Sequence, residues 1–141
     1  MGLDKQGNQK GNWTPGMDIY AKQTIFAEGS RVHLGKQLIK EFNLDESKTP
    51  QHFAIGFKEI WEVDTDTHSP GDVLHTIGWP LNKGTSGGGF LYHFSGNRIA
   101  VGLIVDLNYN NPHHSPFQEF TQYKKHPKIK QFLESGKRVS Y

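Results

Sequence analysis

The sequence predicts an α+β chain in which a mostly antiparallel sheet, with helices at its end, follows a strand-helix edge belonging to another domain. Three observations carry this. Residues 53–63 alternate with a period of two, the mark of a strand with one covered face. The apolar segments after it are joined by short turns, and short connections pair strands antiparallel. Helix signals fall before and after those segments, near 34–42 and from Ser115 onward, and not between the strands.

The 141 residues are one domain's worth of chain, lean in apolar side chains at 34% and rich in glycine with 16. Sixteen basic and 14 acidic side chains are interspersed for a net charge of +2, so no electrostatic case exists for binding nucleic acid. No apolar run reaches the length of a membrane span, and Met1 to Trp13 is polar, unlike a signal peptide.

Residues 1–16, dense in Gly, Asn, Gln and Lys, read as a turn-laden loop or hairpin tip. Met17 to Ala27 alternates loosely and turns continuously apolar at Ile25-Phe26-Ala27, as expected of a covered strand, although the chain offers it no obvious parallel neighbour. Glu28-Gly29-Ser30 ends it. Leu34, Leu38, Ile39 and Phe42 then recur at helical spacing, with Ser30 as the expected N-cap and Asn43 as the stop. The charged stretch Asp45 to Pro50 marks a boundary between two domains, 1–50 and 51–141.

In the next strand Phe53, Ile55, Phe57, Trp61 and Val63 share one parity, interrupted only by Glu59. A turn through Ser69-Pro70-Gly71 leads to a strand over 73–79, a glycine-rich loop, and a strand entered at Phe90. Ser95-Gly96-Asn97 turns the chain into 98–107, apolar on both parities between Ile99 and Val105 and hence central and covered. Ser115, Pro116 and Gln118 form a capping box that opens a helix ending near Lys125 or His126, before Pro127. A second helix with Ile129, Phe132 and Leu133 inward stops at Gly136, and Lys137 to Tyr141 read as the start of an element left unfinished.

The chemistry concentrates between Gly78 and His93. Nothing bulky stands between Gly84 and Gly89, while Trp79, Phe90 and Tyr92 flank the run. A Gly-Gly-Gly run alone is as consistent with a flexible loop; the aromatic flanks suit a flat apolar ligand whose polar edge meets bare backbone groups. His75 and His93 lie on the strands either side and are the weak candidates for carrying a proton, because histidine alone titrates near neutral pH unperturbed. His113-His114 reads as a turn, since neighbours in an extended segment point apart, and no metal site is expected. Neither a Gly-x-Ser-x-Gly elbow nor a phosphate loop is present.

Gly78-Trp79-Pro80-Leu81, followed by Thr85, Gly87-Gly88 and Phe90-Leu91-Tyr92-His93, resembles the quinone-site segment of the electron-transfer flavoprotein:ubiquinone oxidoreductase family. Thr24 to Gly29, Lys36-Gln37-Leu38, Glu59 to Trp61, Ala100-Val101-Gly102, Asn111-Pro112, Ser115-Pro116-Phe117 and Gly136-Lys137-Arg138 agree in order, so the likeness covers nearly the whole chain. It implies part of a membrane-associated enzyme that carries FAD and a [4Fe–4S] cluster. Such an enzyme passes electrons from reduced electron-transfer flavoprotein to ubiquinone at a bacterial or mitochondrial inner membrane, which it enters from one side without spanning.

Residue by residue, the resemblance implies that Gly87 and Gly88 contact the quinone head group and that Ala27, Glu28 and Gly29 lie by the FAD. It makes 1–50 a partial FAD-binding segment and 51–141 a ubiquinone-binding domain truncated at its C-terminus. The sequence departs from the family pattern at Ser30 (usually Cys), Val32 (Gly), Gly84 (His), Ser86 (Tyr) and Gly89 (Ser). The chain has no cysteine and no Gly-x-Gly-x-x-Gly after a strand, so neither the cluster nor the FAD is expected to be fully bound by these residues, and the isolated chain is expected to be inactive. The alternatives are a piece of a geranylgeranyl-reductase or aromatic-hydroxylase-like flavoprotein, a non-catalytic truncated gene product, or a small lipid-binding module.

Overall fold

A computed structural model describes residues 2–30 and 33–141, and its chain contacts divide it into two compact units at Thr49/Pro50. In the first unit an isolated antiparallel bridge joins Leu3 to Gln9. The Asp4 carboxylate closes the turn between them by accepting from the backbone N–H groups of Gln6 (2.9 Å) and Asn8 (2.8 Å). These bonds, those from Asn8 foremost, hold the Asp4 pKa below its ordinary value.

The covered strand expected over 17–27 does not form. These residues run without a ladder, Ile25 is 88% exposed and Phe26 is about half exposed. The physical reason is that a strand exists through its partners, and no other segment among the described residues pairs with this one. Helix α1 (Leu34–Phe42) does form, and Asn43 ends it in the left-handed conformation at φ 49°. Its start differs from expectation. The N-cap is His33, without a side-chain bond, and the carboxylate of Glu28 takes the cap's place by accepting from Leu34 N (3.2 Å) and Gly35 N (2.8 Å). Val32, one of the departures noted from the resemblance, lies outside the described residues.

The second unit is a five-stranded antiparallel sheet of order β2-β3-β4-β1-β5, with two helices on one face. Its strands are β1 (Ala54–Glu62), β2 (Val73–Ile77), β3 (Gly87–Phe94), β4 (Arg98–Asp106) and β5 (Lys137–Ser140), with a 3-10 turn at Thr65–Thr67. β4 is central, and Ile99, Val101, Leu103 and Val105 are buried beneath helix α2 (Pro116–Tyr123) and helix α3 (Pro127–Leu133). Ser115 caps α2 by accepting from Gln118 N at 3.4 Å, with Pro116 in the first turn, and Phe120 and Tyr123 point into the core. Ile129 and Leu133 of α3 complete it.

Two expectations change here. Lys137 to Ser140, expected only as the start of an element, is a strand paired with Ile60–Glu62 of β1, where it satisfies ladder groups that β1 presents on that side. And the glycine-rich segment is not a loop as far as Gly89: β3 begins at Gly87, paired through 87–89 with Val105, Ile104 and Leu103. On the other side Gly88 and Gly89 pair with Ile77 and Thr76. The loop proper is 78–86, and Leu81 is buried within it.

Candidate functional site

Glycine persists in a strand where a Cβ has no room. At Gly89 a Cβ would strike the ring of Tyr123, which is 1% exposed and accepts a hydrogen bond from Thr76 Oγ1 at 3.0 Å. At Gly88 it would lie 2.6 Å from the carbonyl oxygen of Thr76, and at Gly87 it would strike the carbonyl of Ile104. At Gly102 it would meet the Phe90 ring, so that aromatic lies flat across β4. The run therefore answers packing demands on both faces, and its backbone groups face neighbouring strands.

The register sorts the candidate residues between the two faces. Gly88 has Ile77 and Ile104 as its partners, and His75 pairs with Phe90, so His75, Ile77, Gly88, Phe90 and Ile104 share the face away from the helices. Phe90, Tyr92 and Phe94 form an aromatic row along it, with centroids 5.5 Å and 6.1 Å apart. His75 is exposed there. His93 has the opposite parity and is buried at 5% exposure; its Nδ1 accepts from Ser69 N at 3.1 Å, and its ring lies 5.2 Å from His68 and 5.1 Å from Phe132. Burial, then the neighbouring His68, lowers its pKa against a smaller opposing effect of Asp72. The two histidines are thus separated by the sheet, and only His75 shares a face with Gly88.

Glu59, the apparent interruption of β1, is 3% exposed and has the parity of Phe57 and Trp61. Its carboxylate accepts two bonds from Lys124 Nζ (2.8 and 2.9 Å), one from Arg138 (3.1 Å) and one from the Trp61 indole (2.9 Å). Burial pushes its pKa up, but these donors outweigh burial and hold it below the ordinary value. The local sequence named neither of its cations, which stand 65 and 79 positions away, although an acid on the covered parity of β1 calls for a positive partner.

A cleft of about 350 Å³ between β2 and the α2–α3 corner is lined by Leu74, Thr76, Ile77, Trp79, Tyr123 and Ile129 among others, with the Trp79 and His126 rings 5.2 Å apart at its rim. In the first unit, Gly29 turns at φ +78° with open space where a Cβ would stand, next to Ala27 and to Glu28, whose carboxylate is engaged by α1. Among the described residues no helix is long and apolar enough to cross a membrane.

Against known families, the ETF-QO ubiquinone-binding profile matches residues 53–141, the sheet and both of its helices. The chain belongs to this family. Over 142 aligned residues, and along all of its length, it is 58% identical to the electron transfer flavoprotein-ubiquinone oxidoreductase of Pseudomonas aeruginosa, covering 26% of that protein. It is 54% identical to the probable enzyme of that name from Acinetobacter baylyi, covering 25%. Against the mitochondrial enzyme of Homo sapiens it is 48% identical and covers 23%. The chain thus spans about a quarter of the length of these relatives. The family match settles the resemblance on which the sequence reading leaned, and the antiparallel sheet with helices on one face gives it its α+β form.

Proposed function

We propose that this chain supplies the quinone-binding part of an electron transfer flavoprotein–ubiquinone oxidoreductase, with reduced electron-transfer flavoprotein as donor and ubiquinone as acceptor at a respiratory membrane surface. One observation carries the reading: the ubiquinone-binding profile covers the entire second unit, within a chain similar from end to end to enzymes of that name. The first unit, residues 1–50, is then a segment of the FAD-binding part, and 51–141 belongs to the quinone-binding domain.

The quinone ring rests over Gly88, beside the backbone of Gly87, on the face away from the helices. A Cβ placed at Gly88 would meet the Thr76 backbone and no side chain within 4 Å, and Phe90 follows on the same face, which suits a flat apolar ring. His75, exposed on the same face, is placed to hand protons to the reduced ring, whereas His93 serves the fold through Ser69. FAD, when bound by the full enzyme, supplies the electrons; Ala27 and Gly29 form the bare turn beside it, and Glu28 fixes that turn to α1. The residues of this chain do not fit the cluster, which needs thiolates where the chain has no cysteine, so its ligands belong to other parts of the enzyme.

The reading is tested in a chimera, the Pseudomonas aeruginosa enzyme with its matching quarter exchanged for these 141 residues. Gly88→Ala and Gly89→Ala both crowd β3, but only Gly88 shares the proposed ring's face. Gly88→Ala is expected to slow ubiquinone reduction at least tenfold relative to Gly89→Ala while flavin reduction by the protein donor stays equal in both. Equal losses in the two variants would remove the ring from this face, and a correctly flavinated chimera that reduces no ubiquinone would overturn the functional reading.

A further inference from the structure

We propose that Tyr123 is a positioning residue for ubiquinone: its hydroxyl, bonded to Thr76 Oγ1 behind the sheet, holds the end of β2 against Gly88 and keeps the seat of the ring formed. The proposal rests on the reading above that the ring lies over Gly88. Thr76 and Ile77 are the last two residues of β2 and pair with Gly89 and Gly88 of β3. β2 is the edge of the sheet, so no further strand supports it from the other side. Side chains secure it little better. The glycines of β3 contribute none, and Ile77 is 90% exposed on the face away from the helices. A strand end with so few contacts opens more readily than the middle of a sheet.

Tyr123 supplies the missing support from the helix side. It is 1% exposed, its ring occupies the space where a Cβ on Gly89 would stand, and its oxygen accepts from Thr76 Oγ1 at 3.0 Å. Among the described residues this is the one side-chain hydrogen bond that joins β2 to the helices. Both partners line the cleft of about 350 Å³ between β2 and the α2–α3 corner, so the bond ties strand to helix where packing between them is incomplete. The backbone of Thr76 carries the effect through to the other face: its carbonyl oxygen lies 2.6 Å from where a Cβ would stand on Gly88. A shift of residue 76 therefore displaces an atom at the boundary of the seat. Burial raises the Tyr123 pKa above its ordinary value, against a smaller effect of the Thr76 bond, and the hydroxyl stays neutral at physiological pH. A seat held in place binds a flat ring more tightly than one that must first close.

The experiment measures ubiquinone reduction in the same chimera carrying Tyr123→Phe, Thr76→Val, the two combined, or Thr76→Ser. Tyr123→Phe keeps the ring beside Gly89 and removes only the hydroxyl. Each of the first two should raise KM for ubiquinone about fivefold, equivalent to about 1 kcal/mol and in the range of one hydrogen bond. Meanwhile kcat and flavin reduction by the protein donor should stay within about twofold of the parent. The double variant should be no worse than either single, since both remove the same bond, and Thr76→Ser should keep the parent's KM. Hydrogen exchange over residues 73–77 and 87–89 should quicken by a similar factor in both single variants. A parent-like KM in Tyr123→Phe, or losses that multiply in the double variant, would leave Tyr123 a packing residue only. A rise in Tyr123→Phe that Thr76→Val lacks would put the hydroxyl on the ligand itself and overturn the positioning role. Flavin reduction and kcat falling along with the melting temperature would assign the bond to the fold as a whole, with the same consequence. All three results leave the functional reading standing, whereas a correctly flavinated parent chimera that reduces no ubiquinone would remove it.

Discussion

Replacing Glu59 by Gln is expected to destabilise the second unit by about 3 kcal/mol at pH 7. The carboxylate is nearly inaccessible, whereas the cations it holds reach water unequally: the Lys124 side chain is 19% exposed and that of Arg138 48%. Glutamine keeps one acceptor oxygen but loses the charge and turns an amide N–H₂ toward a cation. Removing one partner of a buried ion pair costs about 3–5 kcal/mol, and the lower end applies because Arg138 can rehydrate and the indole of Trp61 keeps an acceptor. In a unit of fewer than about 100 residues each kcal/mol moves Tm by about 4–8 °C, so the melt should fall by more than about 10 °C. Lys124→Met should cost more than Arg138→Met, since it leaves the buried carboxylate with the half-exposed Arg138 as its one cation beside the Trp61 indole. The pH dependence gives an independent check. Glu59 has a pKa below its ordinary 4.5 in the folded state, so its contribution is complete above about 4.5 and is lost as pH falls through the lower, folded value. Melts or urea titrations of parent and variant from pH 7 to pH 3 should therefore converge on the acid side. A gap below about 1 kcal/mol at pH 7, or one that stays constant into acid, would refute the view that the carboxylate's charge holds β1, α2 and β5 together.

Gly89→Ala should cost about 2–3 kcal/mol by overpacking against Tyr123, and in combination with Tyr123→Leu the loss should be smaller than the sum; strict additivity in urea melts would mean the ring is not what excludes the methyl. Gly71→Ala, at φ +94° with open space around it, should cost only the backbone conformation, about 1 kcal/mol. His93 has a folded pKa lowered from 6.5, so the stability it confers is complete above about 6.5 and declines as pH drops below that value; His93→Gln should flatten the urea midpoint between pH 7 and 5, and an unchanged slope would clear His93 of the effect. Ser115→Ala should cost about 0.5–1 kcal/mol, the low end for a cap because its bond to Gln118 N is 3.4 Å long, and a neutral result in the same titration would show that Pro116 alone sets the start of α2.

What was legible in the sequence was whatever its own neighbours determine. The N-cap at Ser115, the left-handed stop at Asn43, the inward face of α3 and the central position of β4 all follow from local spacing, and all are present. What was not legible depended on groups far along the chain. Ile25-Phe26-Ala27 has strand composition but no partner, and composition does not reveal a missing ladder. Glu59 looked like a break in alternation because its cations are remote, although a lone acid on the covered parity of a strand is itself a signal that a cation must arrive. The glycines misled in a similar way: three in succession suggest a loop until Tyr123, Thr76 and Ile104 are in place to exclude their side chains. For the site, the resemblance named Gly87 and Gly88, but which of His75 and His93 shares the face of Gly88 was fixed only by the register.

The strand that carries Glu59 is made well before the groups that neutralise it. During synthesis β1 emerges with Phe57 and Trp61 uncovered, and Lys124 follows 65 residues later, a delay of roughly 3–13 s at ordinary elongation rates. In the meantime β2, β3 and β4 can close as a meander through short turns, and β1 then docks on the free edge of β4. Arg138 arrives last, on a four-residue strand. A nascent chain paused before residue 124 would leave the Glu59 carboxylate without either of the cations that neutralise it in the finished sheet.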